Sequence, residues 1–366
     1  MAARLQGPTI YTVAEAAGVS IASVSRVMQG SRTVSPKTTA KVMDAAARLN
    51  YLPLAAARSL AVRNHEAHGL VLPALTGPYY SELLMGFEAR AAELGKSIML
   101  ILISDRRDLG QAVRGLASRV EGIAVHSSTR LPAELAATLG SVKPIVVIAG
   151  DPMPGTEAIG AENAGSAREL TAHLMGHGLR RLLFLGAPGT APDVRDRYEG
   201  FRLAHTERGL PAPEPELSRF DEADGVRFAE QFLAGRYDAD GIVCGNDELA
   251  LSIMDHLIRH GVRVPDDLAI VGWDDVMAAR YVRPGLTTVR QPVRMIGELA
   301  ATRLHQRVAG AAPAEQPVVL PTQLVIRSSC GCPDHRPGSG PGSDPSPAGH
   351  RVPAVPDSRA LSPRRE

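Results

Sequence analysis

Seven short apolar runs punctuate the chain: GLVLPAL (69–75), SIMLILIS (97–104), GIAVHS (122–127), PIVVIAG (144–150), RLLFLG (181–186), GIVCGN (241–246) and LAIVGWD (268–274). None alternates polar with apolar residues, as a strand with one wet face does. Each therefore reads as a strand buried on both faces. Stretches of helical pattern lie near 80–94, 163–177, 195–208, 224–234, 246–260 and 292–308. Strands that alternate with helices build parallel sheets with helices on both faces, the α/β class. The series is long enough for two such sheets rather than one.

Size and composition agree. The 366 residues correspond to two or three domains of about 150 residues each. With 44% hydrophobic and 22% charged residues the chain can bury a large core, which excludes a wholly disordered protein. Aromatics are only 4%, so that core rests on Ala, Leu, Val and Ile. No apolar run approaches the ~18 residues of a spanning helix. The start, MAARLQGPTIYT, has no apolar segment of the secretory kind, so neither membrane nor export is expected. Cys244, Cys330 and Cys332 are too few for a disulfide framework, and a reducing, cytoplasmic location is expected.

The two ends differ from the middle. Residues 1–65 carry eight basic and two acidic residues, a net +6, against a total of +1. A basic head on a mildly acidic body fits a nucleic-acid-binding module, or simply a solvated helical surface. This head reads as three short helices. Thr12 and Glu15 form a T-x-x-E capping box for the first, and Gly18 ends it. Ser20 caps a second helix, with Val24 and Val27 inward and Gly30 closing it. Ser35-Pro36 starts a third, with Val42, Ala45, Ala46 and Leu49 at helical spacing. The arrangement is that of a helix-turn-helix unit or of another small three-helix unit; spacing and charge favour the first. Leu52-Pro53 breaks the third helix, and LAAARSLA (54–61) is too short to be a stable helix alone. At the other end, half of residues 331–366 are Pro, Gly or Ser, a composition expected to stay disordered.

The segment TIYTVAEAAGVSIASVSRVMQGSRTVSPKTTAKVMDAAARLNYLPLAAARSL (9–60) resembles the DNA-binding head and hinge of the LacI family of bacterial transcription regulators. Further marks are GPYYSELLMGFEARAAELG (77–95), RDRYEGF (195–201), CGNDELALSIMDHLIRHGVRVPDDLAIVGWDD (244–275), LTTVRQP (286–292) and LVIRSSCG (324–331). The resemblance implies a head over 1–52, a hinge over 53–66 and a body over 67–330. That body would be two Rossmann-like, periplasmic-binding-protein-like lobes: 67–162 with 292–320, and 163–290 with 321–330. Residues 331–366 lie beyond it, as a tail. The implied protein is a homodimeric repressor on a pseudo-palindromic operator. A small ligand, sugar-like in chemistry, would sit between the lobes.

In such a head the second helix enters the major groove N-terminus first. Ile21 and Ala22 then read bases through apolar contact, and Arg26 reaches a guanine or a phosphate. Thr9, Ser20, Ser23, Ser25 and Gln29 are placed for phosphate or base contacts, with simple capping or packing the lesser alternative for Ser20 and Ser25. Leu60, with Ala57 beside it, would wedge into the minor groove, unless it packs on the body. Leu54 stands where many relatives carry a polar residue. The implied effector residues are Tyr79, Tyr80, His126, Asp151, Asp193, Arg197, Phe220, Asn246, Asp274 and Gln291. Carboxylates, amides and a guanidinium suit hydroxylated ligands, with aromatics covering an apolar face. Asp247 reads as a ligand contact or as the cap of the next helix. Asp193 departs from the small hydroxyl residue of many sugar-binding relatives, and His126 and Trp273 also vary the lining. An amine-bearing ligand therefore stays possible beside a neutral sugar.

Other signals carry less. His173 and His177 lack the H-E-x-x-H pattern and read as ordinary helix residues, and Cys330-Gly-Cys332 lacks a second cysteine pair. No metal and no cofactor is expected. Without a phosphate loop or a nucleophile with a base, an enzyme is not expected either. The competing reading is a cytoplasmic small-molecule binding protein with a vestigial head.

Overall fold

The computed structural model describes residues 8–28, 33–51, 67–103 and 108–333. The head forms helices α1 (Ile10–Ala17), α2 (Ile21–Met28) and α3 (Pro36–Arg48) around Val13, Val24, Val42 and Ala45. The first cap differs from the sequence reading. Thr9, not Thr12, is the N-cap: its hydroxyl accepts the Thr12 N–H, and the Thr12 hydroxyl accepts the Thr9 N–H. Thr12 completes the box that Glu15 was expected to close, so the helix begins one turn earlier. Gly18 ends α1 at φ 64°, a left-handed angle that glycine alone takes without steric cost. Ser35 and Pro36 open α3 as the sequence indicates.

The body begins with a six-stranded, wholly parallel sheet. Its members are β1 (Ala67–Leu72), β2 (Ser97–Leu102), β3 (Ile123–His126), β4 (Ile145–Ile148), β5 (Glu157–Ala161) and β10 (Val318–Leu320), in the order β10-β5-β4-β3-β1-β2. Its helices are α4 (Gly77–Glu93), α5 (Leu109–Ala117), α6 (Ala133–Gly140) and α12 (Val293–Val308). The second lobe has a three-stranded parallel sheet, β6 (Leu182–Leu185), β7 (Gly241–Cys244) and β8 (Ala269–Val271). Around it lie α7 (Ala164–Gly176), α8 (Pro192–Thr206), α9 (Glu222–Leu233), α10 (Asp247–Arg259) and the short α11 (Ala278–Tyr281). An antiparallel pair, β9 (Thr288–Arg290) with β11 (Gln323–Val325), completes it.

Alternation of lobe membership makes the chain cross near Glu162, Gln291 and Pro321. Two crossings are stitched together: Glu162 N–H donates to the Leu320 carbonyl at 2.8 Å, and the Ser166 and Thr322 hydroxyls meet at 2.7 Å. The first lobe is closed by chain from far along the sequence. α12 lies on α4 so closely that a Cβ on Gly86 would fall 2.0 Å from the Arg294 carbonyl oxygen, and one on Gly297 2.2 Å from that of Leu83. Arg303 of α12 grips the buried Glu157 with two nitrogens at 2.7 and 3.1 Å. Strand β5 escaped the sequence reading because this glutamate opens it. Helices α5 and α6 and strands β9 to β11 were also missed. Among the described residues no helix is long and apolar enough to cross a membrane.

Candidate functional site

On the head, burial of Val24 and Val27 orients the rest of α2. Ile21, Ala22 and Arg26 face solvent, and Ile21 is 42% exposed although apolar. Ser20 caps the helix by accepting the Ser23 N–H at 3.2 Å, and the two hydroxyls meet at 3.0 Å. Thr9 is occupied at the α1 cap. Ser23 and Ser25 are half-buried beside this face. Gln29 and Gly30, the hinge with Leu54, Ala57 and Leu60, and the tail from residue 334 lie outside the described residues.

Between the lobes, the strand ends and helix starts bring one polar cluster together. Its centre is the buried Arg197 on α8, one turn past Asp193. Its Nε donates to Asn163 at 2.9 Å, one terminal nitrogen to the Gly245 carbonyl at 2.7 Å and the other to Asp193 at 3.1 Å. The guanidinium lies over Trp273, 4.7 Å from the ring centroid. Arg197 is thus held in one pose. Beside it, one carboxylate oxygen of Asp193 and the indole N–H of Trp273 are buried without a hydrogen-bond partner among the described residues. Buried orphans of this kind cost free energy, on the order of 1–3 kcal/mol each, unless something completes them.

The opposing wall comes from the first lobe. Tyr79 and Tyr80, in the first turn of α4, and His126, at the end of β3, pack edge to face with centroids 5.2–5.7 Å apart. The Tyr79 hydroxyl meets His126 Nε2 at 3.3 Å. Burial holds the His126 imidazole neutral, its pKa brought down to about 4, although Asp193 opposes the shift. Burial likewise lifts Tyr80 to about 12 and Tyr79 well above its ordinary value, helped by the charge of Asp193. Asp274 follows β8 at φ 121° and accepts from the Gln291 side chain at 2.5 Å. Burial pushes its carboxyl up to about 8, against the pull of Arg197. A non-glycine residue at such an angle stores about 1–3 kcal/mol of strain, which neighbouring structure must sustain.

The other expected residues sit differently. Phe220, at φ 68°, covers Gly245 so closely that a Cβ there would lie 2.4 Å from its ring. It therefore borders the cluster through the carbonyl that Arg197 uses. Asn246 is engaged at both ends of its amide: it caps α10 by accepting from the Leu249 N–H at 3.1 Å, and donates to the Phe220 carbonyl at 3.2 Å. Asp247 is not that cap. It is buried, and accepts from the Val276 N–H at 2.9 Å and the Thr288 hydroxyl at 2.6 Å. Asp151 lies at the exposed rim in a two-point ion pair with Arg195, at 2.8 and 3.2 Å, from one lobe to the other. Sequence reasoning missed Asn163, Gly245 and Glu248. A Cβ on Gly77 would fall 1.6 Å from a Glu248 carboxylate oxygen, so that side chain reaches the start of α4 from α10.

His173 and His177, read as ordinary helix residues, lie against Cys330 and Cys332, with the four ligand atoms all within 4.8 Å of one another. About 150 residues of chain separate the pairs, so neither spacing alone marks the cluster.

The family described as bacterial regulatory proteins of the lacI family matches residues 9–53, and a periplasmic binding protein-like domain matches residues 171–330. The chain is 31% identical over 334 residues to the HTH-type transcriptional regulator DegA of Bacillus subtilis, covering 88% of this chain and 97% of DegA. It is 32% identical over 329 residues to the ribose operon repressor of Escherichia coli, covering 88% and 99% respectively. The solved structure of the Lac repressor dimer bound to operator and the anti-inducer ONPF superposes with a TM-score of 0.78 at 27% identity, over 89% of this chain and 99% of that one. The complex of the transcriptional regulator CelR with cellobiose gives 0.65 at 28% identity, over 88% and 99%.

Proposed function

Because the chain belongs to the lacI family of bacterial regulatory proteins, we propose that it is a dimeric repressor whose grip on operator DNA is set by a small ligand in the inter-lobe cleft. In this reading residues 1–52 are the DNA-binding head, 53–66 the hinge and 67–330 the ligand-binding and dimerising body. One observation carries the ligand: Asp193 and Trp273 keep polar atoms buried and unpaired among the described residues, beside Arg197 and next to the aromatic group Tyr79, Tyr80 and His126. A carboxylate acceptor, an indole donor and an aromatic wall suit a hydroxylated ring, hence a sugar or sugar-like metabolite. The ribose operon repressor and the cellobiose-bound CelR among its relatives support that class. The curated relatives are regulators rather than enzymes.

The DNA contacts assigned to Thr9, Ser20, Ile21, Ala22, Ser23, Ser25, Arg26 and Gln29, and the minor-groove role of Ala57 and Leu60, belong to this proposal. The solvent-facing row Ile21, Ala22 and Arg26 supports it. For the dimer, support comes from β2: Met99 and Ile101 of this apolar edge strand are only half-buried, and such edges are covered in stable proteins. The test is selection of bound fragments from genomic DNA at fixed salt, followed by titration of candidate sugars against the selected site. A pseudo-palindrome whose affinity one sugar changes supports the reading. Sugar binding with no selected motif, with or without pooled metabolites, would mean a small-molecule binding protein with a vestigial head.

A further inference from the structure

Helix α7 ends by presenting His173 and, one turn later at its C-cap, His177 on the same side. The last described stretch of chain reaches this side from elsewhere. After β11 it makes a tight turn over Ser328–Cys330, then passes Gly331 at φ 104°. That left-handed angle folds the backbone between the two cysteines, so both sulfurs face the histidines. His173 Nε2 then lies 3.3 Å from Cys330 Sγ, 3.3 Å from His177 Nε2 and 3.5 Å from Cys332 Sγ. Cys332 Sγ lies 3.3 Å from His177 Nε2.

Hydrogen bonding does not account for this. An imidazole nitrogen has either one N–H or one lone pair, so it serves one partner. Three short contacts at a single Nε2, one of them to another imidazole nitrogen, exceed what it can do. A cation at the centre accounts for all of them together. For a tetrahedral ion with metal–nitrogen bonds of about 2.0–2.1 Å and metal–sulfur bonds of about 2.3 Å, the ligand–ligand edges are about 3.3–3.8 Å. The four distances above are of that size.

We propose that His173, His177, Cys330 and Cys332 form a tetrahedral site for one zinc-class divalent ion, which fastens the end of the second lobe to α7. Two thiolates and two imidazoles are a borderline-soft donor set that favours zinc over magnesium or calcium. The Thr287 hydroxyl lies 3.1 Å from Cys330 Sγ, placed to donate to it as outer-shell groups do for metal-bound thiolates. Cys330 is buried while His177 is exposed, so the ion has a route in from solvent. The fastened turn also holds the floor of the cleft. Ser329 accepts from the Thr287 N–H at 2.9 Å, and Arg327 pairs with Asp275, next to Asp274.

The site can be tested without DNA or effector. The full chain, purified under reductant and stripped with a chelator, is titrated with Co²⁺. The expected result is saturation at one equivalent, with intense visible bands of a tetrahedral ion, a sulfur-to-cobalt charge-transfer band in the near ultraviolet, and displacement by Zn²⁺. His177→Ala and Cys332→Ser change side chains at the open edge of the site, and circular dichroism checks that they fold. Each is expected to weaken the metal by more than the roughly 10–100-fold that loss of an outer-shell partner costs. Weak six-coordinate bands, failure to saturate at one equivalent, or unchanged affinity in both folded variants would overturn the site.

Discussion

Arg197 shows how much one side chain can be asked to hold. It binds Asn163, Gly245 and Asp193 and stacks on Trp273, so its position is fixed before any ligand arrives. Arg197→Ala should cost about 3–5 kcal/mol of stability, because it leaves partners buried and unpaired. Arg197→Lys should recover only part of this, since an ammonium lacks the planar fork; denaturant melts of both variants check it. Asp274 gives a pH signature. Its folded pKa, about 8, lies above the unfolded carboxylate value. Its contribution to stability is therefore fully present below about pH 4 and is lost as pH rises through 8. The stability of Asp274→Asn relative to the parent should rise over that window, with a limiting slope of about 1.4 kcal/mol per pH unit. A difference that does not change with pH would contradict the raised value. On the head, Arg26→Ala should cost about 1–3 kcal/mol at the selected operator if Arg26 reads a guanine. Equal loss on all DNA sequences, measured by competition binding, would make it a phosphate contact.

Helices meet one another here through backbone as much as through side chains. Gly297→Ala adds a good helix former, worth up to about 1 kcal/mol. Its new Cβ, however, falls 2.2 Å from the Leu83 carbonyl and 2.8 Å from the Phe87 nitrogen, which cannot rotate away. Overpacking at about 1–3 kcal/mol outweighs the gain, so thermal unfolding should shift downward. What could be read from sequence follows the same physics. Strands β1, β3, β4 and β7 are buried on both faces, so hydrophobicity alone marks them. Helices α4, α7 and α12 are long enough for periodicity to show. Strand β5 was hidden by Glu157, whose charge is satisfied by Arg303 nearly 150 residues later. Helix α5 was hidden by Gly110 and Gly115, which lower helix propensity. The cleft residues were reached through the family resemblance, and no local pattern indicates that Arg197 uses Asn163 and Gly245. The His-Cys cluster is invisible for the same reason: each half is unremarkable until the fold joins them.

At the scale of the molecule, the two lobes share a cleft, three crossings and a rim ion pair. Asp151 and Arg195 hold the rim together, and their exposure makes the pair sensitive to salt. If ligand and operator prefer different lobe arrangements, their coupling must be reciprocal, typically 1–3 kcal/mol. Calorimetric titration of the effector with and without operator should then shift its affinity by the same factor as the effector shifts that of operator. Equal effector affinities in the two titrations would rule out control through the lobes.

The crossings also have a consequence in time. The ribosome releases β1 to β5 first, yet the face of their sheet is completed by Val293, Ile296, Ala300 and Leu304 of α12, and its edge by β10. Most of the second lobe, β6 to β9 with α7 to α11, is synthesised in between. The first lobe is therefore begun before the second and closed only after most of the second is made, and a nascent chain carries Leu70, Leu83 and Phe87 without their cover while β6 to β9 emerge. Translation stopped within that interval yields a half-covered sheet, the kind of surface that chaperones and proteases recognise.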